Sequence, residues 1–504
     1  MFSNDLGARP SPFIKEIAPP SLARCLTALA DLPHVAFLDS AAPSGKLGRY
    51  SYLAADPFGI LTSRDGKAFW NGDILPDAPL IALQKALDTH QLTSVEADIP
   101  PFQGGAIGYF AYEAGRLLEH LPTTSRDQDR LPDLHLPFYD VILAVDHFAD
   151  GPDAAPRDRA WILSSGYPER GEARAARARL RLKWFRDLLQ NPSNPSNSND
   201  TPPAITGWRS NFTRQAFEAA IEKTRTHIRD GDIFQANITQ CFSACLPAGD
   251  AASPLAYYLQ LRRQNAAPFA AYLDCGDHVI ASSSPERFVT LDAKGCVETR
   301  PIKGTAPRDL TDPARDAHHA ATLQASDKDR AENIMITDLM RNDLSRVCKA
   351  GSIEVPDLCT LESYARVHHL VSSVTGEMKE GLGAVSLLGA TFPGGSITGA
   401  PKIRAMEIIT ELEDLPRGVY CGAIGYLGFN GAMDTNIAIR TVTFRDDKVQ
   451  FHTGGGITIL SDPSAEYEEC LHKAAALFRG LGTSVEAERD TIEARNKPAG
   501  RDGS

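Results

Sequence analysis

Apolar side chains recur every three or four positions in several stretches of this chain, the spacing that lets one face of an α-helix pack against a core. In residues 214–231, Phe217, Ile221 and Ile228 fall on one such face, and Gly231 supplies a C-terminal stop. The same spacing predicts further helices over residues 170–190, 329–347, 400–413 and 462–482.

Shorter runs rich in β-branched and aromatic residues, bounded by turn-forming residues, predict strands. They lie at residues 34–40, 49–57, 104–115, 278–292, 296–302, 422–429, 435–444 and 449–454. The segment TGGGI, residues 453–457, predicts a glycine-rich hairpin turn. Because strands and helices come in groups and do not alternate one by one, the predicted fold class is α+β with mixed or antiparallel sheets.

One segment breaks these patterns. Residues 190–203 read QNPSNPSNSNDTPP, and such a run cannot bury enough apolar surface to offset the entropy lost on ordering. It divides the chain into an N-terminal region, 1–189, a linker, 190–205, and a C-terminal region, 206–487, followed by a charged tail, 488–504, that is expected to be disordered. The pattern leaves open whether the linker joins two domains or loops out of one.

Composition narrows the class of protein. The chain has 504 residues, 42% hydrophobic and 23% charged, which is ordinary for a globular protein with a sizeable core. Its net charge is −12 and it has no Lys/Arg-rich run, which argues against a nucleic-acid partner. No apolar stretch reaches the ~18 residues of a membrane helix, and the N-terminus lacks a secretory pattern. With nine scattered cysteines expected to be free thiols, the predicted location is the cytoplasm.

Glycines ahead of a predicted helix form a first candidate site. Residues 392–402 read FPGGSITGAPK, and free backbone N–H groups at a helix start favour an anion. Ala400 and Pro401 stand where a phosphate loop needs Lys and then Ser or Thr, so a carboxylate is a better-supported ligand than a nucleotide. The alternative is a tight turn that binds nothing.

Acidic residues near the starts of two predicted helices form a second candidate. Glu332 lies on one helix, and Glu466 and Glu469 lie one turn apart on the other. Carboxylates from two helices suit Mg²⁺, which keeps several waters and takes one or two protein carboxylates. The alternative is surface acids favoured by the helix dipole, with Glu469 paired to Lys473 along the helix.

Three single side chains have the chemistry of acid–base or nucleophilic catalysis. Glu286 is a candidate general acid, His369 a candidate proton donor to a leaving group, and Lys303 a candidate nucleophile. Each has a structural alternative: a salt bridge, a hydrogen-bonded core histidine and a solvated surface lysine. Lys303 needs desolvation or neighbouring cations to react, because a lysine of pKa ~10.4 is almost fully protonated at neutral pH.

The order and spacing of these motifs resemble those of the chorismate-utilising enzymes over about residues 210–483. The matching stretches are GDIFQANITQ, SSPERF, TRPIKGTAPR, DRAENIMITDLMRNDLSRV, VHHLVS, FPGGSITGAPKIRAMEII, GAIGY, MDTNIAIRT, GGGI and AEYEECLHKA. The N-terminal region resembles that of the ammonia-using members through GRYSYLAADP and GGAIGYFAYE. The resemblance implies a large α/β sandwich of sheets that encloses the active site, as in anthranilate synthase component I.

Within this family the residue at position 303 separates two activities. Anthranilate synthase large subunits read PIAGT, whereas this chain reads PIKGT at residues 301–305 and so resembles the members that make 4-amino-4-deoxychorismate for 4-aminobenzoate and folate. The resemblance implies that Lys303 attacks ring carbon 2 of chorismate, and that ammonia then adds at carbon 4 and expels the lysine. Gln235 stands where water-using isochorismate synthases carry a base lysine, which disfavours that activity.

The resemblance also implies roles for other residues. Glu286 matches the general acid/base, His369 the histidine near the leaving group, and Glu332 and Glu469 the ligands of a Mg²⁺ cofactor. The matches to chorismate contacts are Gly304, Thr305, Ser396, Tyr420, Arg440 and Gly456.

The family resemblance bears on partners and ligands as well. No Gly-x-Cys-x-Gly glutaminase motif occurs, so ammonia is expected from a separate glutamine amidotransferase subunit or from solution. Some members bind tryptophan through a motif LLES; this chain reads FLDS at residues 37–40, which places a tryptophan site in doubt. Two alternatives stay open: an anthranilate synthase that carries lysine, and a non-catalytic sensor of chorismate or tryptophan.

Overall fold

The computed structural model describes residues 10–43, 47–93, 98–125, 130–151, 155–190, 201–249, 252–364 and 367–494. The helices within these residues are α1 (Leu22–Leu29), α2 (Pro79–Thr89), α3 (Gly171–Gln190), α4 (Arg214–Arg229), α5 (Pro254–Gln264), α6 (Pro313–Gln324), α7 (Asp327–Ser345), α8 (Ala384–Thr391), α9 (Lys402–Glu413), α10 (Pro463–Gly480) and α11 (Val485–Ala494). None of them is long and apolar enough to cross a membrane.

Two large sheets account for the strands of the same residues. The strands are β1 (Phe13–Ile17), β2 (Ala36–Asp39), β3 (Tyr50–Ala54), β4 (Gly59–Arg64), β5 (Lys67–Trp70), β6 (Asp73–Ile74), β7 (Gly105–Phe110), β8 (Leu134–Tyr139), β9 (Val141–Asp146), β10 (Arg159–Ser164), β11 (Arg209–Ser210), β12 (Gln235–Cys245), β13 (Phe269–Asp274), β14 (His278–Ser284), β15 (Arg287–Leu291), β16 (Cys296–Thr299), β17 (Ile302–Pro307), β18 (Glu354–Ser363), β19 (Val367–Glu377), β20 (Gly399–Ala400), β21 (Ala423–Gly428), β22 (Met433–Asn436), β23 (Thr441–Arg445) and β24 (Lys448–Ile457).

The first sheet runs in the order β1-β10-β9-β3-β2-β13-β14-β23-β24-β12-β11, with β20 beside β12. The second runs β17-β19-β16-β15-β22-β21-β7-β8-β4-β5-β6, with β18 beside β19. Every named strand pair in them is antiparallel. The predicted α+β class is confirmed.

Both sheets combine strands from before and after the predicted linker. In the first sheet β2 pairs with β13, and in the second β7 pairs with β21. The two regions therefore share their sheets and do not fold as separate layers. Of the predicted linker, residues 191–200 lie outside the described residues.

The sheets pack face to face through aromatic residues. Tyr52 of β3 meets Tyr426 of β21 edge to face, with ring centroids 5.4 Å apart. Phe102 completes the group at 4.6 Å from the Tyr426 ring. All three are buried, so the apolar layer between the sheets holds the sandwich together.

Helices cover the outer faces and begin at well-defined caps. The side chain of Asp462 accepts a hydrogen bond from Ala465 N at 2.9 Å, which starts α10, and Pro463 occupies its first turn. Thr453 on β24 donates to the carbonyl of Cys470 at 3.1 Å, which fixes α10 on the first sheet. On the second sheet, Asn333 of α7 donates to Leu370 O of β19 at 3.1 Å.

Two of the predicted strands are each divided between the two sheets. The single strand expected at 278–292 is two strands, β14 and β15, in different sheets, and the one expected at 435–444 is divided in the same way into β22 and β23. Local alternation cannot show such a division, because both halves look like strand.

Two further corrections concern glycine and the C-terminus. Gly454, Gly455 and Gly456 lie inside β24 and do not form the predicted hairpin turn. Part of the expected disordered tail is helical, since α11 continues to Ala494 and buries Ile492; residues 495–504 lie outside the described residues.

Candidate active site

A cavity of about 470 Å³ lies where the two sheets exchange strands. The catalytic, substrate-contact and metal residues expected from the resemblance all line it: Glu286, Lys303, Gly304, Thr305, Glu332, His369, Ser396, Tyr420, Arg440, Gly456 and Glu469. Their positions span almost 200 residues of sequence, so the fold alone brings them together.

Two crossovers between the sheets carry the acid and the arginine. Glu286 lies between β14 and β15, and Arg440 lies between β22 and β23 with a left-handed φ of 51°. The crossovers are tied to each other, because Ile437 N donates to Glu286 O at 3.0 Å and Ser283 N donates to Arg440 O at 3.0 Å. A chain that changes sheets must leave its ladder at that point, which frees both side chains to face the cavity.

Lys303 extends into the cavity from β17. Its ammonium donates to the carbonyl of Ser396 at 3.2 Å, and the strand bulges between Lys303 and Thr305 around Gly304, whose φ is +79°. Burial lowers the pKa of Lys303, while the negative charges of Glu332 and Glu286 act in the opposite direction. The predicted alternative of a solvated surface lysine does not match this position, since the residue is half-buried and lines the cavity.

The pKa of Glu286 is shifted in the opposite direction from that of Lys303. Burial raises the pKa of its carboxyl to about 7, against a hydrogen bond from the Ser396 side chain, the charge of Lys303 and the Ile302 N–H. Close to neutral pH this side chain therefore exists in both protonation states, the condition that suits a general acid or base.

His369 stands beside the same strand as a neutral imidazole. Its Nδ1 lies 2.9 Å from the hydroxyl of Thr305 and 3.4 Å from Gly304 O. Burial lowers the pKa of His369 to about 4, helped by the charge of Arg440. The ring is thus oriented by β17 and uncharged at neutral pH.

Acidic side chains from two helices form the opposite wall. Glu332 comes from α7, and Glu466 and Glu469 come from the first turns of α10. Burial raises the pKa of Glu332 and of Glu466. Burial also acts to raise the pKa of Glu469, but the charge of Lys473, its hydrogen bond and the charges of other lysines lower that pKa overall. Glu466, which the family resemblance did not assign to the metal, is more buried than Glu469.

Two ammonium groups already neutralise part of these acids. Lys473 Nζ lies 2.8 Å from Glu469 Oε1, and Lys328 Nζ lies 3.9 Å from Glu466 Oε1. The described residues contain no group of three or more His, Cys, Asp or Glu side chains arranged to hold a metal. The acids nevertheless fit Mg²⁺ in chemistry, because that ion needs only one or two protein carboxylates and takes its other oxygens from water and substrate.

The glycines of β24 have no side chains, and the acid Glu466 and the amine of Lys303 approach the strand closely. A Cβ on Gly455 would lie 3.2 Å from Glu466 Oε2, and one on Gly456 would lie 2.3 Å from Gln235 Nε2 and 3.4 Å from Lys303 Nζ. These glycines are extended, so the reason for them is close approach and not a turn.

Further residues that were not predicted from the sequence as site residues also line the cavity. His452 on β24 and Asn237 on β12 are buried in the wall, and Lys473 reaches the cavity from α10. A two-residue spacing from Gly456 to His452 through Gly454 was the available signal, since alternate strand residues share a face.

The chain is similar to known proteins over most of its length. The profile of the chorismate binding enzymes matches residues 34–479. The chain belongs to this family. It is 39% identical over 457 residues to aminodeoxychorismate synthase component 1 of Escherichia coli (strain K12), covering 90% of this chain and 94% of that protein.

Two other members of the family are similar over comparable lengths. Anthranilate synthase component 1 of Aquifex aeolicus (strain VF5) is 34% identical over 460 residues, 90% of each chain. The crystal structure of anthranilate synthase component I from Streptococcus pneumoniae TIGR4 superposes with a TM-score of 0.73 at 31% identity, covering 86% of this chain and 92% of that one. The sandwich expected from the resemblance is confirmed.

This chorismate binding enzyme has a second cavity, of about 540 Å³, beside the FLDS segment. Leu38, Asp39 and Ser40 line it. The Asp39 carboxylate accepts hydrogen bonds from Arg262 at 2.5 Å and from Tyr258 at 3.0 Å, so its charge is already paired within the protein.

Proposed function

We propose that this chain converts chorismate and ammonia to 4-amino-4-deoxychorismate. The observation that carries the proposal is the position of Lys303, whose amine lines the cavity between Glu286 and the acids of α7 and α10. Burial lowers the pKa of this amine and so increases its neutral, nucleophilic fraction. The similarity to aminodeoxychorismate synthase component 1 supports the same activity.

The first step is an addition to the ring. The lone pair of Lys303 Nζ forms a bond to carbon 2, the ring double bonds shift, and the carbon 4–oxygen bond breaks. Glu286 supplies the proton with which the hydroxyl leaves as water, which its pKa of about 7 permits near neutral pH.

The second step reverses the first with a different nucleophile. Ammonia forms a bond to carbon 4, the double bonds shift back, and the bond between carbon 2 and Lys303 breaks, returning the electron pair to the lysine nitrogen. Two easier displacements replace one difficult one, which is the advantage of covalent catalysis.

The remaining residues of the cavity bind and orient the substrate. Arg440 and Tyr420 hold one carboxylate of the substrate, because a guanidinium forms charge-assisted paired hydrogen bonds to a carboxylate. One or two carboxylates among Glu332, Glu466 and Glu469 would hold Mg²⁺, and the ion would supply Lewis acidity toward the ring carboxylate. The neutral His369 is oriented by Thr305 to hydrogen-bond near the leaving hydroxyl.

Ammonia is supplied by a separate glutamine amidotransferase subunit. The chain has no Gly-x-Cys-x-Gly motif, and relatives in the family carry the designation component 1, which implies a second component. Free ammonia at high concentration substitutes for that subunit in an assay of this chain alone.

The test uses chorismate, Mg²⁺ and ammonium salt with two variants of one segment. Lys303→Ala abolishes formation of 4-amino-4-deoxychorismate, whereas Arg308→Ala retains it, because Arg308 pairs with Asp316 at 2.9 Å and does not line the cavity. In the absence of ammonia, mass spectrometry of the wild-type chain finds a chorismate-derived adduct on Lys303. Fluorescent anthranilate as the product, or undiminished turnover by Lys303→Ala, overturns the proposal.

A further inference from the structure

His452 lies in the wall of the cavity and has no part in the steps above. It is a residue of β24, where positions 452, 454 and 456 share one face, and Gly456 on that face lies against Lys303. The residue is 4% exposed, and its Nε2 has no hydrogen-bond partner within the described residues. Buried polar atoms are rarely left unpaired, and because His452 also lines the cavity, a bound substrate can supply the partner that this nitrogen lacks.

The ring of His452 is fixed by its neighbour. It stacks on Tyr420 with centroids 5.2 Å apart and planes 12° apart. Burial, and then the charge of Arg417, lowers the pKa of His452 to about 3, so the imidazole is neutral and keeps one N–H donor and one acceptor nitrogen.

Tyr420 connects this ring to the carboxylate-binding arginine. The next residue, Cys421, donates its N–H to Ala438 O at 2.9 Å, two residues before Arg440. His452, Tyr420 and Arg440 all line the same cavity, and the Tyr420 ring lies against His452.

We propose that His452 is a substrate-positioning residue. It hydrogen-bonds an oxygen of the substrate's substituent, the one whose carboxylate Arg440 binds. The substituent must be an oxygen-bearing, carboxylated one, since a neutral imidazole in the same cavity as Arg440 offers an N–H to an anionic oxygen without adding charge. This inference rests on the proposed function, because it assigns a residue to the substrate of that reaction.

The structure provides a closely matched control. His135 is also buried, has a pKa lowered to about 3 chiefly by burial, stacks on a tyrosine, Tyr109, at 13°, and has an unpartnered Nε2, but it does not line the cavity. His452→Phe keeps a planar ring against Tyr420 and removes the nitrogens, whereas His452→Gln keeps hydrogen-bonding groups and removes the ring.

The test measures KM and kcat with free ammonia, and chorismate binding by calorimetry in the Lys303→Ala background, where no adduct forms. His452→Phe is expected to raise KM and weaken binding about tenfold, as one lost hydrogen bond predicts, with kcat within about twofold. His452→Gln restores most of the affinity, and His135→Phe leaves both values unchanged. Thermal melting of each variant confirms folding.

Each contrary result has a distinct meaning. Unchanged KM and binding in a folded His452→Phe overturn the inference, and so does equal loss in the Phe and Gln variants, which would assign the ring a packing role only. If the wild-type chain makes anthranilate, the proposed function fails, and the calorimetric difference between the His452 variants still decides the inference.

Discussion

The amine of Lys303 lies 3.4 Å from the point where a side chain on Gly456 would begin. That point is also only 2.3 Å from the amide nitrogen of Gln235, a buried side chain whose polar atoms have no partner within the described residues. A single methyl group at position 456 would therefore push Gln235 and crowd the lysine.

The Gly456→Ala variant tests this relationship. We expect kcat to fall on the order of 10²-fold, because a displacement of about 1 Å at a reacting group costs that much. Gly383→Ala is the control, since a Cβ there meets nothing within 4 Å and its backbone is extended. Steady-state kinetics with free ammonia make the comparison, and full activity of Gly456→Ala would contradict the close approach.

The pH dependence of kcat/KM follows from two opposite shifts. Burial raises the pKa of Glu286 to about 7, and the reaction needs its protonated form, so activity falls as pH rises through that value. Burial lowers the pKa of Lys303, and the reaction needs its neutral form, so activity also falls toward acidic pH. The profile is measured at constant concentration of neutral ammonia.

Replacing the acid should remove the alkaline limb of that profile. Glu286→Gln is expected to lose ~10²–10⁴-fold in kcat, the usual contribution of a general acid, and its residual activity should not fall near pH 7. Glu113→Gln is the control, because burial raises the pKa of Glu113 too, yet this carboxylate binds Arg417 N and Gly418 N away from the cavity. A retained alkaline limb in Glu286→Gln would assign it to another group.

Removal of a metal ligand should change the requirement for Mg²⁺. EDTA is expected to abolish turnover, and Glu466→Gln to raise the Mg²⁺ concentration for half-maximal activity on the order of tenfold or more. Glu468→Gln, on the same helix, should leave it unchanged, because Glu468 pairs with Arg214 and Arg489. Calorimetric titration with Mg²⁺ gives a second readout, and equal effects of the two variants would exclude Glu466 as a ligand.

Stability should fall with acidity through His135. Its pKa is lowered to about 3 by burial and by His278 and His34, so above the unfolded value of ~6.5 the residue is neutral in both states and costs nothing. As pH falls from ~6.5 toward 3, only the unfolded chain binds the proton, and about 1.4 kcal/mol is lost per pH unit. Urea unfolding of His135→Phe between pH 7 and 5 should show a correspondingly smaller slope, and an unchanged slope would contradict the prediction.

Many of the local elements and the family could be predicted because they depend on neighbours along the chain. The helical spacing of α4 and the resemblance of PIKGT, SSPERF and AEYEECLHKA to one enzyme family are properties of short segments. The family is confirmed, and the residues of these segments named as candidates line one cavity.

Other features escaped prediction because they depend on contacts between distant segments. The divided strands around Glu286 and Arg440 look continuous in sequence, since leaving one sheet for another is decided by what each half pairs with. Gly456 is a second example, because the side chain that leaves no room for a Cβ there is Gln235 of β12. His452 is a third, because the ring it stacks on, Tyr420, lies 32 positions away in sequence.

The amino-acid sequence by itself determined which chemical groups this protein carries and in which helices and strands most of them stand. Only the tertiary structure decided that the pKa of Lys303 is lowered and that of Glu286 raised, because desolvation is the sum of contacts from segments far apart in sequence.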